Sequence, residues 1–252
     1  MELTINGMDI SSFLANLNKQ ETQYWIYEPK LVSCTDQEFN KLLSEIWLKC
    51  KPNIYTYSGK QVLSSRISCI FVPDINEAYN KSKTDSNFNY STTPSYLWSD
   101  APDKILSIRY QLEKYYNITF DYVLVNIYRS RSDAIGEHND KEAMNSDIVS
   151  VSLGALREFY FVNINDKNDK HGYILRNGDV VFMKGPNGNQ KSCQHIYKHA
   201  VPKMNIQDMV TYIKDKNIQI PSGRKTYQIF DDIITQYNIH PIRINLTFRK
   251  YE

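Results

Sequence analysis

The second half of the chain constrains the fold most, because it holds many short segments in which apolar and polar residues alternate. Alternation with a period of two is typical of β-strands that bury one face. Turn-forming residues, as in Asn177-Gly178-Asp179, separate the segments. The sequence therefore predicts a mostly β fold with flanking helices (α+β) and a double-stranded β-helix (jelly-roll) core. The predicted strands span residues 120–128, 148–153, 158–164, 172–175, 180–183 and 243–250.

Helical patterns flank these strands. A helix is predicted over residues 35–50, where Thr35 and Glu38 match a capping box. A second helix is predicted to begin near Pro102, and two more between residues 204 and 237. The predicted apolar faces comprise Phe39, Leu42, Leu43, Ile46 and Trp47 in the first helix and Ile105, Leu106, Ile108, Leu112 and Tyr115 in the second. Residues 80–93, rich in Asn, Ser and Thr, are predicted to form a loop or lid.

The composition is that of an ordinary globular chain, with 252 residues, of which 41% are hydrophobic and 23% are charged. No apolar stretch approaches the roughly 20 residues that span a bilayer, so no membrane partner is expected. The four cysteines show no Cys-x-x-Cys spacing, so we expect an intracellular protein with reduced thiols. The net charge of +2 neither indicates nor excludes a polyanionic partner, since a local basic patch suffices.

The sequence His138-Asn139-Asp140 follows a predicted strand and a turn. Residues two apart on an extended chain project to the same side, so this imidazole and carboxylate can share a metal ion. A second His from a distant strand would complete the two-His-one-carboxylate triad that suits non-haem iron(II). The alternative is a solvated turn, and periodicity does not choose among the remaining histidines, which are His171, His195, His199 and His240.

The C-terminal segment presents Arg243, Asn245, Thr247 and Arg249 on one strand face. Two arginines that point into a barrel are costly unless an anion pairs with them. A dicarboxylate such as 2-oxoglutarate would serve, because guanidinium binds carboxylate through two parallel hydrogen bonds. The alternative is a solvated polar face opposite an apolar inner face, and alternation alone does not decide between the two.

Four segments carry a family resemblance: NIYRSRSDAIGEHNDKE, VSVSLGALREFYF, HIYKHAVPK and RINLTFRKY. Together they resemble the AlkB family of Fe(II)/2-oxoglutarate-dependent dioxygenases, and most of all its animal duplex-DNA-repair branch. The segment FNYSTTPSYLW resembles the nucleotide-recognition lid of that family. The resemblance implies an enzyme that uses Fe(II), 2-oxoglutarate and O2. It would demethylate N-alkylated bases such as 1-methyladenine and 3-methylcytosine in DNA or RNA, releasing formaldehyde, succinate and CO2.

Position by position, the resemblance implies that His138, Asp140 and His199 are the iron ligands and form the catalytic centre. His199 is preferred over His195 because the distal His of the family is followed shortly by Pro, here Pro202. His195 would then occupy an auxiliary position nearby.

The resemblance also implies a cosubstrate site. Arg243 would pair with the distal carboxylate of 2-oxoglutarate. Asn126 and Tyr128 would donate hydrogen bonds to it from a neighbouring strand. Asn245 and Arg249 would complete that wall, with Arg249 at the end nearest the metal.

The substrate-binding residues implied by the resemblance are Glu142, which would face the flipped base, and Tyr90, an aromatic of the lid. A cationic methylated base would be attracted to Glu142. Arg129 and Arg131 are candidate phosphate contacts, with a solvated turn as the alternative.

The implied organisation places an N-terminal helix and the lid at residues 1–98, packed on a jelly-roll core at residues 99–252. The connection from His199 to Arg243 is longer than is usual for the family, so residues 203–239 are predicted to be a helical insertion. We expect a monomer. The alternative function is a 2-oxoglutarate-dependent hydroxylase or demethylase that acts on protein or on regulatory RNA methyl marks.

Overall fold

The computed structural model of the chain describes residues 4–5, 8–9, 19–57, 59–84, 90, 92–130, 132–203 and 242–251. In chain order its strands are β1 (Thr4–Ile5), β2 (Met8–Asp9), β3 (Gln20–Glu21), β4 (Trp25–Glu28), β5 (Lys51–Tyr57), β6 (Lys60–Val72), β7 (Ser95–Leu97), β8 (Tyr122–Tyr128), β9 (Ile135–His138), β10 (Ile148–Gly154), β11 (Arg157–Asn163), β12 (Lys170–Leu175), β13 (Val180–Met183), β14 (Tyr197–Val201) and β15 (Arg243–Arg249). Its helices are α1 (Asp36–Trp47), α2 (Ile75–Thr84), α3 (Asp103–Tyr116) and α4 (Cys193–Ile196).

Two sheets form the core. The nine-stranded major sheet has the order β3-β4-β13-β10-β15-β8-β6-β5, and β7 pairs with β6. The four-stranded minor sheet has the order β12-β11-β14-β9. Every pairing is antiparallel except that of β6 with β7. The predicted mostly β fold with flanking helices is therefore confirmed.

The helices α1 and α3 cover the outer face of the major sheet. Their apolar side chains form one buried cluster with the outward-facing residues of β8 and β15, such as Val125 and Leu246. The Thr35 side chain accepts a hydrogen bond from the Glu38 amide, and the Glu38 side chain accepts one from the Thr35 amide, so the capping box is confirmed. The predicted face of α3 was too wide, because Leu106 and Tyr115 are 36% and 50% exposed.

The inner faces of the two sheets enclose a second apolar cluster. Trp25 of β4 stacks on Phe161 of β11 with their ring centroids 4.2 Å apart, which joins the sheets directly. Where this cluster ends, polar side chains from both sheets enclose a cavity of about 220 Å³. The two sheets thus enclose a polar cavity next to an apolar cluster.

Several predicted elements differ from the structure. Residues 80–84, predicted as loop or lid, belong to α2. Strands β4 and β5 were not predicted, since β4 is only four residues long and Pro52 interrupts the pattern of β5. Gly178 adopts a φ of +90°, as the predicted turn requires. This turn connects β12 of the minor sheet to β13 of the major sheet, so the two strands do not pair with each other. The predicted helices at 204–237, and nearly all of the insertion at 203–239, lie outside the described residues.

Candidate metal centre and cosubstrate cavity

Three potential metal ligands converge at one end of the cavity. His138 is the last residue of β9 and lies directly opposite His199 of β14 in the antiparallel pairing. Asp140 follows two residues after His138 on extended backbone. Its carboxylate oxygens lie 3.7 Å from His138 Nε2 and 3.4 Å from His199 Nε2. One ligand atom from each residue falls within 4.8 Å of the others, so all three can reach one ion.

Both imidazoles are neutral at neutral pH, which is the form that binds a metal. Burial lowers the pKa of His199 to about 3 and also lowers the pKa of His138, so neither ring is protonated at neutral pH. The His138 Nδ1 lies 2.8 Å from the carbonyl oxygen of Gly136. If this nitrogen carries the proton and donates it there, Nε2 is the atom left to bind a metal.

Asp140 is buried and stays ionised. Burial opposes its ionisation, but the positive Arg249 guanidinium outweighs burial and holds the pKa of this carboxyl below its usual value. The Arg249 Nη2 donates to Asp140 Oδ1 over 3.0 Å. The backbone amide of Asp140 donates to the side chain of Gln194, which fixes the segment after β9 against α4.

The residues fit an iron(II) ion. Two imidazoles and one carboxylate form the facial set that leaves other coordination positions open. The Oδ2 of Asp140 and the Nδ1 of His199 are buried and have no hydrogen-bond partner in the described part of the chain. Buried polar atoms normally have a hydrogen-bond partner. A buried carboxylate oxygen without one, as at Asp140, is expected where the site binds a cation.

Arg243 lines the same cavity. It is 1% exposed, and its Nη2 donates to Ser152 Oγ over 2.8 Å. Its Nη1 is buried and has no hydrogen-bond partner among the described residues. Burial lowers the pKa of Arg243 to about 10, so the guanidinium remains charged at neutral pH. The Arg243 guanidinium can therefore bind a carboxylate of a dicarboxylate.

Both faces of β15 are buried. This decides whether its polar face points into the barrel or to solvent. The apolar residues Leu246 and Phe248 pack with the cluster under α1 and α3. The polar residues Arg243 and Arg249 line the cavity and are only 1% and 2% exposed. The polar face is therefore not solvated.

The other predicted cosubstrate residues also line the cavity. Tyr128 lies beneath the Arg243 guanidinium, whose carbon is 5.0 Å from the ring centroid. Asn126 and Asn245 are direct neighbours on β8 and β15. The Asn245 amide nitrogen donates to Ser150 Oγ and to the Val151 carbonyl, so its donors are used within the protein.

Glu142 and Tyr90 lie together in the lining of the cavity. The Arg249 Nη1 donates to Tyr90 Oη over 2.8 Å and pairs with the Glu142 carboxylate. The Tyr90 hydroxyl also donates to Glu142. Arg249 therefore connects Asp140, a candidate metal ligand, to both predicted base-contacting residues.

Other candidates lie away from the site. His195 is exposed, its Nδ1 lies 2.8 Å from Ser192 Oγ, and it is not among the residues that line the cavity. The exposed His171 pairs with Asp169. Arg129 is held by Asp133 and by the Ser65 carbonyl, so its guanidinium already has protein partners. His240 and Arg131 lie outside the described residues.

Sequence analysis missed several residues of the site. Arg66 lines the cavity and Ser68 is buried beside it, and both contact Asn126. Ser152 contacts Arg243, and Gln194 holds Asp140. The period-two pattern places Ser68 and Ser152 on the inner faces of their strands, but serines at such positions are too common to single out.

Residues 26–249 match the family described as the 2OG-Fe(II) oxygenase superfamily. The chain belongs to this superfamily. Its enzymes use Fe(II), 2-oxoglutarate and O2, so the expected class of enzyme and its expected cofactors are confirmed at the level of the family.

Relatives agree with the predicted AlkB resemblance. The DNA oxidative demethylase ALKBH2 of Bos taurus is 48% identical over 95 residues, which cover 33% of this chain and 32% of the bovine protein. The Mus musculus ALKBH2 is 54% identical over 92 residues, covering 33% of this chain and 37% of the mouse protein. The chain thus spans about a third of the length of these animal relatives.

Two further comparisons cover more of the chain. The uncharacterized protein R406 of Acanthamoeba polyphaga mimivirus is 27% identical over 165 residues, covering 65% of this chain and 77% of that protein. The structure of OsALKBH1 superposes with a TM-score of 0.53 at 20% identity, covering 92% of this chain and all of that chain, and supports the jelly-roll fold. No helix in the described ranges is long and apolar enough to cross a membrane.

Proposed function

We propose that this protein removes methyl groups from N-alkylated bases of DNA or RNA by Fe(II)- and 2-oxoglutarate-dependent oxidation. One observation carries the proposal. The His138, Asp140 and His199 cluster and the unpaired Nη1 of Arg243 lie in the same cavity. A cation site and an anion site in one cavity suit a metal that is chelated by a dicarboxylate. The local identity to the DNA oxidative demethylases supports nucleic acid as the substrate.

In this proposal, the iron bound by His138, Asp140 and His199 supplies the oxidising chemistry together with 2-oxoglutarate and O2. Arg243 holds the distal carboxylate of the cosubstrate from the buried end of the cavity. Arg249 keeps Asp140 ionised and oriented through its 3.0 Å hydrogen bond.

The substrate is proposed to be a cationic methylated base such as 1-methyladenine or 3-methylcytosine. Glu142 supplies a carboxylate at the metal end of the cavity, where a positive base would be stabilised. A methyl group on the pairing edge weakens base pairing, so such a base leaves a duplex at lower cost. Tyr90 would contact the base from the lid.

Turnover on a panel of oligonucleotides tests the proposal. We expect mass spectrometry to show loss of 14 Da (one CH2, about 14.02 Da) from DNA or RNA strands carrying 1-methyladenine or 3-methylcytosine, with Fe(II), ascorbate and 2-oxoglutarate present. Methylated RNA of regulatory type and peptides belong in the same panel. Reaction on peptides alone, with all methylated bases left intact, would contradict the proposal.

A further inference from the structure

Asn126 has an amide whose oxygen is held by two donors from β6. Arg66 Nε donates to Asn126 Oδ1 over 2.9 Å, and Ser68 Oγ donates to the same oxygen over 2.8 Å. Ser68 is the direct neighbour of Asn126 in the pairing of β6 with β8, and it is fully buried. This arrangement belongs to the rigid major sheet.

The chemistry of Arg66 fixes which way the amide faces. A guanidinium carries only donors, so the amide atom that faces it must be the oxygen. The two N–H donors of Asn126 are therefore turned away from β6. Because Asn126 lines the cavity, these donors are available to a bound carboxylate.

The neighbouring Asn245 amide cannot donate to a bound carboxylate in place of Asn126. Asn245 spends its donors on Ser150 Oγ and the Val151 carbonyl, and its oxygen accepts from Thr247. If the Asn126 amide were free to rotate, it could present its oxygen to a carboxylate, which is repulsive. Holding the amide in one orientation removes that unproductive state and lowers the entropy lost on binding.

We propose that Arg66 and Ser68 are positioning residues for the cosubstrate, which act by locking the Asn126 amide with its N–H donors toward the dicarboxylate. This inference rests on the proposed function of the cavity. It adds Arg66 and Ser68 of β6 to the residues that determine cosubstrate binding. In this role neither residue binds the metal or contacts the dicarboxylate.

A double-mutant cycle on 2-oxoglutarate binding tests the inference. The full chain is loaded with Mn(II) in place of iron, and 2-oxoglutarate is titrated by calorimetry. We expect Ser68→Ala to raise Kd about fivefold and Arg66→Gln to raise it about tenfold, as for loss of a neutral and of a charged hydrogen bond. Arg66→Lys, which keeps a donor-only cation, should recover part of the loss. In an Asn126→Ala background, Ser68→Ala should change Kd by less than about twofold.

Controls separate positioning from general damage. Ser65→Ala removes a serine of the same strand whose hydroxyl donates to the Ala134 carbonyl, and it should leave Kd for 2-oxoglutarate unchanged. In steady-state assays, the Ser68→Ala loss should lie mainly in KM for 2-oxoglutarate rather than in kcat. The inference is overturned if Ser68→Ala binds 2-oxoglutarate like the wild type, or loses as much affinity in the Asn126→Ala background as alone. Failure of the wild type to bind 2-oxoglutarate would instead refute the proposed function on which it rests.

Discussion

His138 and His199 are direct cross-strand partners, and their ring centroids lie 4.3 Å apart. Side chains opposite each other in an antiparallel pair start about 5 Å apart, so both imidazoles can reach one ion without strain. The pairing of β9 with β14 thus brings together two of the three candidate ligands, and Asp140 adds the third two residues later.

Replacing any one ligand should abolish turnover. His138→Ala, Asp140→Ala and His199→Ala each remove one of three protein ligands, and Asp140→Ala also leaves Arg249 without its 3.0 Å partner. Metal content by elemental mass spectrometry and formaldehyde release measure the effect. His195→Ala is the matched control, since that residue is exposed and its Nδ1 lies beside Ser192, and it should keep wild-type activity. Full activity in any ligand variant would contradict the metal assignment.

Arg243→Ala should weaken 2-oxoglutarate binding about 30- to 100-fold. A hydrogen bond to a charged group is worth about 1.5–3 kcal/mol, and a 30- to 100-fold change corresponds to about 2–2.8 kcal/mol, within that range. Calorimetry on the Mn(II) form gives the dissociation constant directly. Arg176→Ala is a comparison arginine outside the cavity and should bind 2-oxoglutarate normally. An unchanged dissociation constant in Arg243→Ala would place the cosubstrate elsewhere.

Glu142→Gln should change the preference for cationic over neutral bases more than it changes the overall rate of turnover. The carboxylate stabilises a positive base, whereas the amide does not, so kcat/KM on 1-methyladenine should fall about tenfold relative to neutral 3-methylthymine. Competition between the two oligonucleotides in one tube measures this ratio. Glu45→Gln, on an exposed face of α1, should leave the ratio unaltered. A parallel loss on both bases would show that Glu142 acts through Arg249 alone.

Thr35→Ala should lower stability by about 1 kcal/mol, because it removes the cap of α1. The unfolding temperature should drop by about 2–4 °C for a chain of this size, as measured by calorimetry. Ser44→Ala is the control, since this hydroxyl only donates to a carbonyl within the same helix. Equal effects of the two substitutions would mean that the capping box contributes nothing specific.

The contribution of Glu38 to stability should depend on pH. Its hydrogen bond with Lys104, followed by those with Thr35, lowers the pKa of Glu38 to about 2 in the folded protein. A carboxyl with a depressed folded pKa stabilises the fold above its unfolded pKa, roughly 4.3, and loses that contribution as pH falls through about 2. Urea unfolding of the wild type and Glu38→Gln should therefore differ most at pH 6, and the difference should shrink between about pH 4 and pH 2. A difference that is constant with pH would contradict the assigned ion pair.

Local patterns in the sequence determined much of the scaffold. The capping box at Thr35 and the alternation in β8, β10 and β15 are local, because they depend on residues within a few positions of one another. The short β4 escaped prediction, since four residues carry too little pattern. Likewise, the spacing of His138 and Asp140 was enough to put both on one side of an extended chain.

Local periodicity left open which histidine joins them and where the two arginines of β15 point. The family resemblance named His199, and the tertiary structure supplied the physical reason. Local periodicity fixes the direction of a side chain along its own strand, but the choice of partner strand depends on hydrogen bonds between distant segments. The pairing of β9 with β14 brought His199, rather than His195 or His171, to Asp140. The closure of the two sheets buried both faces of β15, so that its polar face became the wall of a cavity.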